Sequence, residues 1–414
     1  MSYRIFRVPL EILPERYTAQ WEQWFPSEFE RCGFDYNEIP GVPLTSKVET
    51  GKVLDASGTM YFKFSQLQRI AELFKKGAIR NNDVFFFDDI QYPGVWAIKY
   101  MAQLYGMRVF VFGYLHASSY TKEDFAEPMT PFLKNVEKSW IFIYDKIFVG
   151  TNYHKKSFVA RRFPHSYKRI ARSSIYVSGA PWNVWTAQTL AYKSRKDTNG
   201  KLNRLIYPNR FDIEKRPNVF LKLVDFLYNK MKYTDMEFLI TTSRQNVTSD
   251  PRLTNMLARA VKLVPTLKIM TGLSKEQYYS ELSKSKLMLS TTIEENFGYC
   301  IVEALTLNTP VLVPNDYSHP ELLSDLKMEK SMMLYDINWD KYINDFVLPS
   351  EVPDWDDPNV TNLAGKMLCA ANYFDGPGQA KTDKLYEAVI KYNKSIERMC
   401  AVMKSVIDHG KIDG

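Results

Sequence analysis

Two kinds of apolar segment alternate along the first half of the chain. Short runs that are apolar at nearly every position, such as residues 82–89 (NDVFFFDD) and 107–116 (MRVFVFGYLH), are typical of buried strands. Longer segments such as residues 96–107 have apolar positions every three or four residues, which is typical of helices packed on one face. Strands that are apolar throughout occur in parallel sheets covered on both faces, so the first half is predicted to form such a sheet.

The same alternation restarts after residue 201. Strand-like runs at 203–210 (NRLIYPNR), 236–243 (MEFLITTS) and 286–292 (KLMLSTT) are separated by helix-like segments. Two helix starts have the spacing of a capping box, Ser274 with Gln277 and Ser318 with Glu321. The predicted fold class is therefore α/β, with two doubly wound, Rossmann-like parallel-sheet domains whose strand ends face a central cleft.

Polar, turn-rich residues divide the chain into these domains. Residues 194–201 (SRKDTNGK) are predicted to be a linker between an N-terminal domain, 1–193, and a C-terminal domain, 202–380. Residues 381–414 are predicted to form a final helix that packs across the domains. Its apolar positions recur every three or four residues at Leu385, Val389, Tyr392, Ile396, Met399, Met403 and Val406.

Composition supports a globular protein and excludes several other classes. The 414 residues are 45% hydrophobic and 24% charged. No run approaches the roughly 18 apolar residues of a membrane span, and the first residues lack the pattern of a secretory signal. The four cysteines show no C-x-x-C spacing. We therefore expect a cytoplasmic protein with reduced cysteines.

The net charge of +7 is concentrated in one stretch. Between Asp145 and Asp197 there is no acidic residue, and the cations are Lys146, Lys155, Lys156, Arg161, Arg162, Lys168, Arg169, Arg172, Lys193, Arg195 and Lys196. Such a stretch favours a polyanionic partner, although a solvated surface would also explain it. Aromatic residues lie between these cations and are expected to stack on bases, namely Tyr153, Phe158, Phe163, Tyr167 and Trp182.

The most informative segment is STTIEENFGYCIVEALTLNTPVLVP, residues 290–314. Glu295 follows a predicted strand, Gly298 lies in the turn, and Glu303 lies in the next helix, roughly 8 Å further along its axis. A helix N-terminus attracts phosphate. A ligand with hydroxyls at both ends and phosphates between them, such as a nucleoside diphosphate sugar, matches this order of groups.

This segment resembles the motif of retaining glycosyltransferases of the GT-B fold, especially family 4. In that family the first Glu contacts the donor sugar, the following amides hold the distal phosphate and the second Glu binds the ribose. The resemblance assigns these roles to Glu295, to Asn296, Phe297 and Gly298, and to Glu303.

Two further segments carry the same resemblance. LIYPNRFDIEKRP resembles the family's first nucleotide-binding segment, where an Arg and a Lys neutralise the diphosphate, and it points to Arg210 and Lys215. KIMTGLSKEQYYSEL resembles the segment beside the base and points to Gly272. In the first half, the resemblance assigns His116 to the donor sugar. Asp89 ends a predicted strand and is expected either to orient an acceptor hydroxyl or to cap a helix.

The resemblance implies a retaining transferase whose co-substrate is a UDP- or GDP-sugar, with no tightly bound cofactor and no essential metal. For the acceptor, the basic stretch favours a nucleic acid, such as hydroxymethylated pyrimidine in phage DNA. The alternatives are a lipid or polysaccharide precursor at an anionic membrane face, a sugar-nucleotide epimerase, and a binding protein without turnover. Many family members have a glycine-rich loop after the first strand, whereas this chain has no glycine before Gly33.

Overall fold

The chain forms two compact units in a computed structural model. The structure describes residues 3–12, 17–43, 59–124, 126–194, 200–242, 247–326 and 329–410. The first unit contains the residues up to Trp182 together with those from Lys394 onward, and the second unit runs from Asn183 to Asn393.

The first unit consists of a parallel sheet and its connecting helices. The strands are β1 (Tyr3–Val8), β2 (Phe34–Glu38), β3 (Val84–Phe87), β4 (Phe110–Tyr114), β5 (Lys146–Val149) and β6 (Ile175–Val177). The helices are α1 (Tyr17–Arg31), α2 (Thr59–Lys75), α3 (Trp96–Leu104), α4 (Thr130–Ile143), α5 (Asn152–Arg162) and α6 (Lys168–Ser174).

The strand order of the first sheet is β2-β1-β3-β4-β5-β6, and every pairing is parallel. All four residues of β3 are fully buried, because helices cover both faces of a central parallel strand. The order reverses between β1 and β3, so the residues after these strands lie at the point where open sheets bind ligands. Asp88 and Asp89 follow β3 there.

The second unit repeats this architecture. Its strands are β7 (Leu202–Tyr207), β8 (Glu237–Thr241), β9 (Leu267–Met270), β10 (Ser285–Leu289), β11 (Val311–Pro314) and β12 (Leu334–Tyr335). Its helices are α7 (Val184–Ser194), α8 (Pro217–Asp225), α9 (Pro251–Leu263), α10 (Lys275–Lys284), α11 (Tyr299–Thr306), α12 (His319–Leu322), α13 (Glu329–Met333), α14 (Pro358–Asp375) and α15 (Gln379–Thr382).

The second sheet is also parallel, in the order β12-β11-β10-β7-β8-β9. The chain moves outward in one direction from β7 and in the other direction from β10. The reversal therefore lies between these two neighbouring strands, and the loops that follow them leave the sheet side by side. The prediction of two doubly wound parallel-sheet domains is confirmed.

The division of the chain differs from the predicted boundaries at both ends of the second unit. Helix α7 belongs to the second unit, whereas the sequence placed residues up to 193 in the first. Residues 195–199 of the predicted linker lie outside the described residues. The final helix, α16, is limited to Ser395–His409 and belongs to the first unit, after 3-10 turns at Leu385–Ala388 and Ile390–Lys394.

The two predicted capping boxes have different outcomes. Ser274 caps α10, since its Oγ accepts from the Gln277 amide at 3.2 Å and its own amide donates to Gln277 Oε1 at 2.9 Å. The second prediction is wrong, because the Ser318 side chain makes no capping hydrogen bond to α12. Ser318 has helical dihedral angles, φ −80° and ψ −11°, whereas a capping residue is typically extended.

No helix in the described part of the chain combines the length and the apolar character needed to cross a bilayer.

These two serines form a matched pair for a stability measurement. We expect Ser274→Ala to lower the free energy of unfolding by about 1 kcal/mol, because the Gln277 amide in the first turn of α10 loses its partner, Ser274 Oγ. Ser318→Ala removes no capping bond, so it should not lower the free energy of unfolding. Urea unfolding of both variants measures the difference, and equal losses would contradict the assignment of the cap.

Candidate active site

The loops that follow β7 and β10 meet through an ion pair. Lys215, at the end of the loop after β7, lies 3.2 Å from Glu295 Oε2 in the loop after β10. The Lys215 ammonium also donates to Thr292 Oγ1 at 3.2 Å. A cation and a carboxylate that come from adjacent strand ends at a topological switch point mark this place as the candidate ligand site.

Hydrogen bonds to the main chain hold Lys215 in position. Its carbonyl accepts from Tyr207 OH at 2.7 Å and from Thr291 Oγ1 at 2.8 Å. The next residue, Arg216, is buried and has a left-handed backbone with φ 45°. This conformation costs a non-glycine residue about 1–2 kcal/mol, so the surrounding contacts impose it. The loop is therefore built to present the Lys215 ammonium at the end of β10.

The Glu295 carboxylate is held ionised between two loops. Its Oε1 accepts from the Gly298 amide at 3.1 Å, and the Phe297 amide also donates to it. Burial alone would raise the pKa of Glu295, but Lys215, with smaller effects from His319 and the Phe297 amide, holds this pKa below its usual value. An ionised carboxylate with these contacts is suited to accept hydrogen bonds and is a poor proton donor.

Glycine is required at the entry to α11. Gly298 has φ 87°, and a Cβ there would lie 3.0 Å from Ile301 Cδ1 and 3.3 Å from Glu295 Cγ. The glycine lets the chain turn directly into the helix, whose first amides have no partner within the helix. The ring of Phe297 packs with its centroid 5.0 Å from those of both Tyr299 and Tyr392, and the predicted role of its main-chain amide at a phosphate stays a prediction. Asn296 is buried beside it.

Glu303 is buried and engaged by three donors from α10. Its Oε1 accepts from Lys275 at 2.5 Å and from Tyr279 OH at 3.2 Å, and its Oε2 accepts from Tyr278 OH at 2.9 Å. Burial and the Glu303 carboxylate raise the pKa of Tyr278 well above its ordinary value, so its hydroxyl remains a donor. A carboxylate has about four lone-pair sites, and three of them accept from these donors. About one site therefore remains for a ligand.

The sequence did not predict the three residues that contact Glu303. Gly272, with φ 62°, turns the chain after β9, and the Ser274 cap then starts α10 so that its first turns face Glu303. Lys275, Tyr278 and Tyr279 lie on one helix face, at positions i, i+3 and i+4. That spacing after a predicted capping box was the available signal. It indicates a shared face, but it does not identify Glu303 as the partner.

Cys300 lies near both carboxylates. Burial, together with Glu303 and Glu295, raises the pKa of this thiol to about 12, while Lys275 and Lys215 act in the opposite direction. All four charged groups are therefore close enough to the first turn of α11 to affect one thiol. The ion pair at Glu295 and the hydrogen-bond network at Glu303 form a single charged site around that turn.

Arg210 lies in the same loop as Lys215 but pairs with acidic residues of that loop. Its guanidinium is 2.8 Å from Glu214 and 3.4 Å from Asp212, and its side chain is 38% exposed. Exposed ion pairs of this kind contribute about 0–1 kcal/mol. A bound phosphate could therefore replace them at little cost. The role of Arg210 and Lys215 at a diphosphate stays a prediction.

In the first unit, His116 lies just beyond β4 and contacts the residue after β3. Its Nε2 is 2.8 Å from the carbonyl oxygen of Asp88, and its Nδ1 is 3.1 Å from Tyr17 OH. The Asp88 carboxylate pairs with the buried Arg7 at 2.7 Å and 3.1 Å. These contacts explain the position of the imidazole, and its role toward a donor sugar stays a prediction.

The Asp89 carboxylate has intramolecular partners on both oxygens. Oδ2 is 3.1 Å from the buried Lys63 ammonium, and Oδ1 accepts from the Gln91 amide at 3.1 Å. The residue therefore organises the turn after β3 in this ligand-free chain. Its role toward an acceptor hydroxyl stays a prediction.

The cations of the basic stretch differ in their contacts and in their exposure. Arg162 forms a buried ion pair with Glu137, and Lys146, Lys155 and Arg161 donate to main-chain carbonyls. Exposed side chains belong to Lys156, Arg161, Arg169, Arg172 and Lys193, whereas Arg195 and Lys196 lie outside the described residues.

Most of the interleaved aromatic residues are not available for stacking on bases. That expectation is wrong for Phe158, Phe163 and Trp182, whose side chains are buried in the core of the first unit. Tyr167 is exposed, and Tyr153 is partly buried.

The described residues contain no group of three or more His, Cys, Asp or Glu side chains arranged to hold a metal ion.

Comparisons with known proteins identify the class. Residues 190–343 match the family model described as "Glycosyl transferases group 1". The α,α-trehalose-phosphate synthase (UDP-forming) of Burkholderia vietnamiensis has a similar structure, with TM-score 0.64, 11% identity and coverage of 99% of this chain and 100% of that one. A trehalose-6-phosphate synthase studied for glycosyltransfer with retention gives TM-score 0.63 at 12% identity, covering 97% and 99% of the two chains.

The pneumococcal O-GlcNAc transferase GtfA, in complex with UDP and GlcNAc, gives TM-score 0.55 at 10% identity and covers 99% of each chain. At these identities the structural likeness concerns the fold, which is that of the GT-B glycosyltransferases. Because residues 190–343 also match the glycosyl transferase family model, the protein is a glycosyltransferase. The site around Lys215, Glu295 and Glu303 lies within that domain.

The Lys215–Glu295 pair gives a pH-dependent prediction. The pKa of Glu295 is lower in the folded protein than in the unfolded chain. The pair therefore stabilises the protein fully at pH values above the ordinary carboxyl pKa. This stabilisation is lost as the pH falls through the pKa that Glu295 has in the folded protein. We expect Lys215→Met to lower the free energy of unfolding by about 1–2 kcal/mol at neutral pH. The deficit should shrink below about pH 4.

Urea unfolding from pH 7 to pH 3 measures this deficit. Lys268→Met is the matched control, because Lys268 pairs with Glu237 while its own side chain is 60% exposed. That variant should lose less than about 0.5 kcal/mol at every pH. A Lys215→Met deficit that does not change with pH would contradict the assignment.

Proposed function

We propose that the protein is a retaining glycosyltransferase that moves a sugar from a nucleoside diphosphate sugar to an acceptor hydroxyl. The observation that carries this proposal is the ion pair of Lys215 and Glu295 at the β7–β10 switch point, beside the glycine-led entry to α11. A cation, the N-terminus of a helix and a carboxylate occur together there. They match the diphosphate and the hydroxyls of such a donor.

Each candidate residue takes one part of the donor. Glu295 accepts from sugar hydroxyls, and the amides that enter α11 hold the distal phosphate. Lys215 and Arg210 neutralise the diphosphate, and Glu303 accepts from the ribose. Gly272 lies in the turn beside the base. The UDP-forming synthase and the UDP complex among the similar structures support a UDP-sugar, and a GDP-sugar remains the alternative.

The contacts favour catalysis without a protein nucleophile. Both oxygens of Glu295 accept from donors of the protein, and Glu303 has three such donors. In the proposed step, the bond between the sugar and the diphosphate breaks while the acceptor oxygen bonds to the same carbon on the same face. The leaving phosphate oxygen takes the acceptor proton. Lys215 and Arg210 stabilise the charge that develops, so the mechanism assigns no role to a metal.

Mass spectrometry of a mixture of UDP- and GDP-sugars tests this function. The protein is incubated with hydroxymethylated DNA, unmodified DNA and lipid acceptors. We expect one donor to be consumed and one acceptor to gain the mass of a sugar, and NMR of the anomeric proton of the product should show the donor's configuration. Conversion of a sugar nucleotide without an acceptor would indicate an epimerase. Consumption of no donor under any condition would refute the proposal.

Two variants separate donor binding from turnover. We expect Glu303→Ala to weaken donor binding by about 10- to 100-fold, because a charged acceptor is lost. Arg210→Ala should instead reduce turnover by about 10- to 1000-fold, because its cation acts on the departing diphosphate. Calorimetry and single-turnover kinetics measure the two effects. Equal donor affinities of wild type and Glu303→Ala would remove the ribose assignment.

For the acceptor we propose a nucleic acid, with a hydroxymethylated pyrimidine of phage DNA as the favoured substrate. The supporting observation is the set of exposed cations on α5 and α6 of the first unit, in a segment, 146–196, that carries no acidic residue. A phosphate backbone is the polyanion that such a surface suits.

One observation favours the alternative of a lipid or polysaccharide precursor at an anionic membrane. Phe142, Tyr167 and Ile170 are 59%, 46% and 41% exposed, and the rings of Phe142 and Tyr167 lie 6.2 Å apart. Apolar side chains next to Lys168 and Arg169 are typical of proteins that bind at a membrane surface.

Binding to duplex DNA and to phosphatidylglycerol vesicles distinguishes the two acceptors. For DNA, we expect the affinity of wild type to fall about 100-fold between about 50 and 200 mM salt. The double substitution Arg169→Glu and Arg172→Glu should weaken it further, whereas Lys75→Glu with Lys76→Glu, on the exposed end of α2, is the charge-matched control. Vesicle binding that Phe142→Ser abolishes, without DNA binding, would favour the membrane alternative.

A further inference from the structure

Two buried polar side-chain atoms in the turn that contacts Glu295 have no hydrogen-bond partner among the described residues. After β11 the chain turns through residues 315–318 into α12, and the Ser318 amide donates to the Glu295 carbonyl oxygen at 3.3 Å. Ser318 and His319 are both fully buried. Among the residues that the structure describes, neither Ser318 Oγ nor His319 Nε2 is hydrogen-bonded.

The contacts of His319 define which ring nitrogen carries the proton. Nδ1 lies 3.1 Å from the carbonyl oxygen of Pro314, which only accepts hydrogen bonds, so Nδ1 must carry the hydrogen. Burial lowers the pKa of His319 to about 4, although the Glu295 carboxylate acts to raise it. The ring is therefore neutral at physiological pH, and Nε2 presents a lone pair that can only accept.

Unsatisfied polar atoms of this kind are costly and rare in folded proteins. Each costs about 1–3 kcal/mol when it is buried without a partner. Here two such atoms follow one another in the chain. The preceding Tyr317 has φ 60°, a conformation that non-glycine residues rarely adopt. Strain and unpaired polar groups that coincide at one turn are typical of a functional site.

The position of this turn identifies the ligand group that could satisfy it. His319 is close enough to both Glu295 and Lys215 for their charges to affect its pKa. Because the Ser318 amide also donates to the Glu295 carbonyl oxygen, a group that donates a hydrogen bond to Nε2 would lie on the side of the site that Glu295 forms. Hydroxyls on neighbouring carbons of a sugar ring are two such donors at close separation, one for the carboxylate and one for the imidazole.

We propose that His319 Nε2 accepts a hydrogen bond from a hydroxyl of the donor sugar, with Ser318 Oγ as a second contact, and that this pair selects the sugar. The inference rests on the proposed function, because it takes a nucleoside diphosphate sugar as the donor. It adds a specificity determinant on the side of the site formed by the turn after β11. Neither residue carries a motif that indicates this role.

Calorimetry with free nucleotides and with sugar nucleotides tests the proposal. The probes are UDP, GDP, UDP-glucose, UDP-galactose, GDP-glucose and GDP-mannose. We expect His319→Phe to bind the free diphosphate as wild type does, while its affinity for the preferred sugar nucleotide falls about 10-fold, which corresponds to one lost hydrogen bond. His319→Gln keeps an acceptor near the Nε2 position and should recover part of that affinity.

Deoxyfluoro analogues of the preferred sugar locate the contact. Fluorine cannot donate a hydrogen bond. The analogue with fluorine in place of the contacted hydroxyl should therefore bind wild type and His319→Phe equally. Analogues with fluorine at the other positions should still bind wild type about 10-fold more tightly than His319→Phe. Ser318→Ala provides a second variant if His319→Phe does not fold, and it should also weaken only the sugar nucleotide.

Three outcomes would contradict the proposal, and they are distinguishable. Equal losses for the free diphosphate and the sugar nucleotide would show that His319 only supports the fold. A 10-fold difference that persists with every deoxyfluoro analogue would show that Nε2 binds an internal water instead of the sugar. If wild type binds free nucleotides but no sugar nucleotide, the proposed function fails, and this inference fails with it.

Discussion

The parallel pairing of β7 with β10 is the constraint on which the candidate site depends. These strands are neighbours in the sheet, although Lys215 and Glu295 are 80 residues apart in sequence. Because the two strands run in the same direction, the loops that follow them leave at one edge, and the ion pair closes across that edge. The rest of the site is attached to these loops. Thr291 and Tyr207 fix the lysine, and Gly298 directs the carboxylate toward α11.

A second constraint is the burial of charge around α11. Glu303 is an anion inside a helix that packs on the sheet, so it must be compensated, and α10 supplies one ammonium and two hydroxyls for that purpose. Glu295 is compensated from the other side by Lys215. The site therefore holds its carboxylates in fixed orientations before any ligand arrives. Preorganised groups of this kind lose little entropy on binding.

Much of the fold could be predicted from sequence because parallel strands have a strong pattern. The runs around Val84–Phe87 and Val311–Pro314 are apolar throughout and are strands in the structure. The long apolar stripe from Leu385 to Val406 was less informative. All seven of its positions are buried, but α16 begins only at Ser395, since 3-10 turns satisfy the same burial. Periodicity reports which side chains face inward and does not fix the helix type.

The site was predictable to the extent that it depends on local spacing. The positions of Lys215 and Glu295 followed from motifs next to predicted strands, but their direct contact depends on strand order. The partners of Glu303 come from another helix, and Arg210 pairs with Asp212 and Glu214 for reasons of local loop geometry. Phe158 and Phe163 appeared to be interleaved with cations because α5 is amphipathic, with one face in the core and one in solvent.

The membership of α16 in the first unit has a consequence for folding during synthesis. The first unit is discontinuous, since Trp182 and Lys394 mark the two places where the chain leaves it and returns. Met399 and Met403 complete its buried interior. The second unit is one continuous segment, so it contains its whole core without any residue after Asn393. The first unit, in contrast, cannot complete its core until the residues from Lys394 onward have been made, although most of its chain precedes the second unit. The first unit must wait, with the surface that α16 will cover still open to solvent and to chaperones.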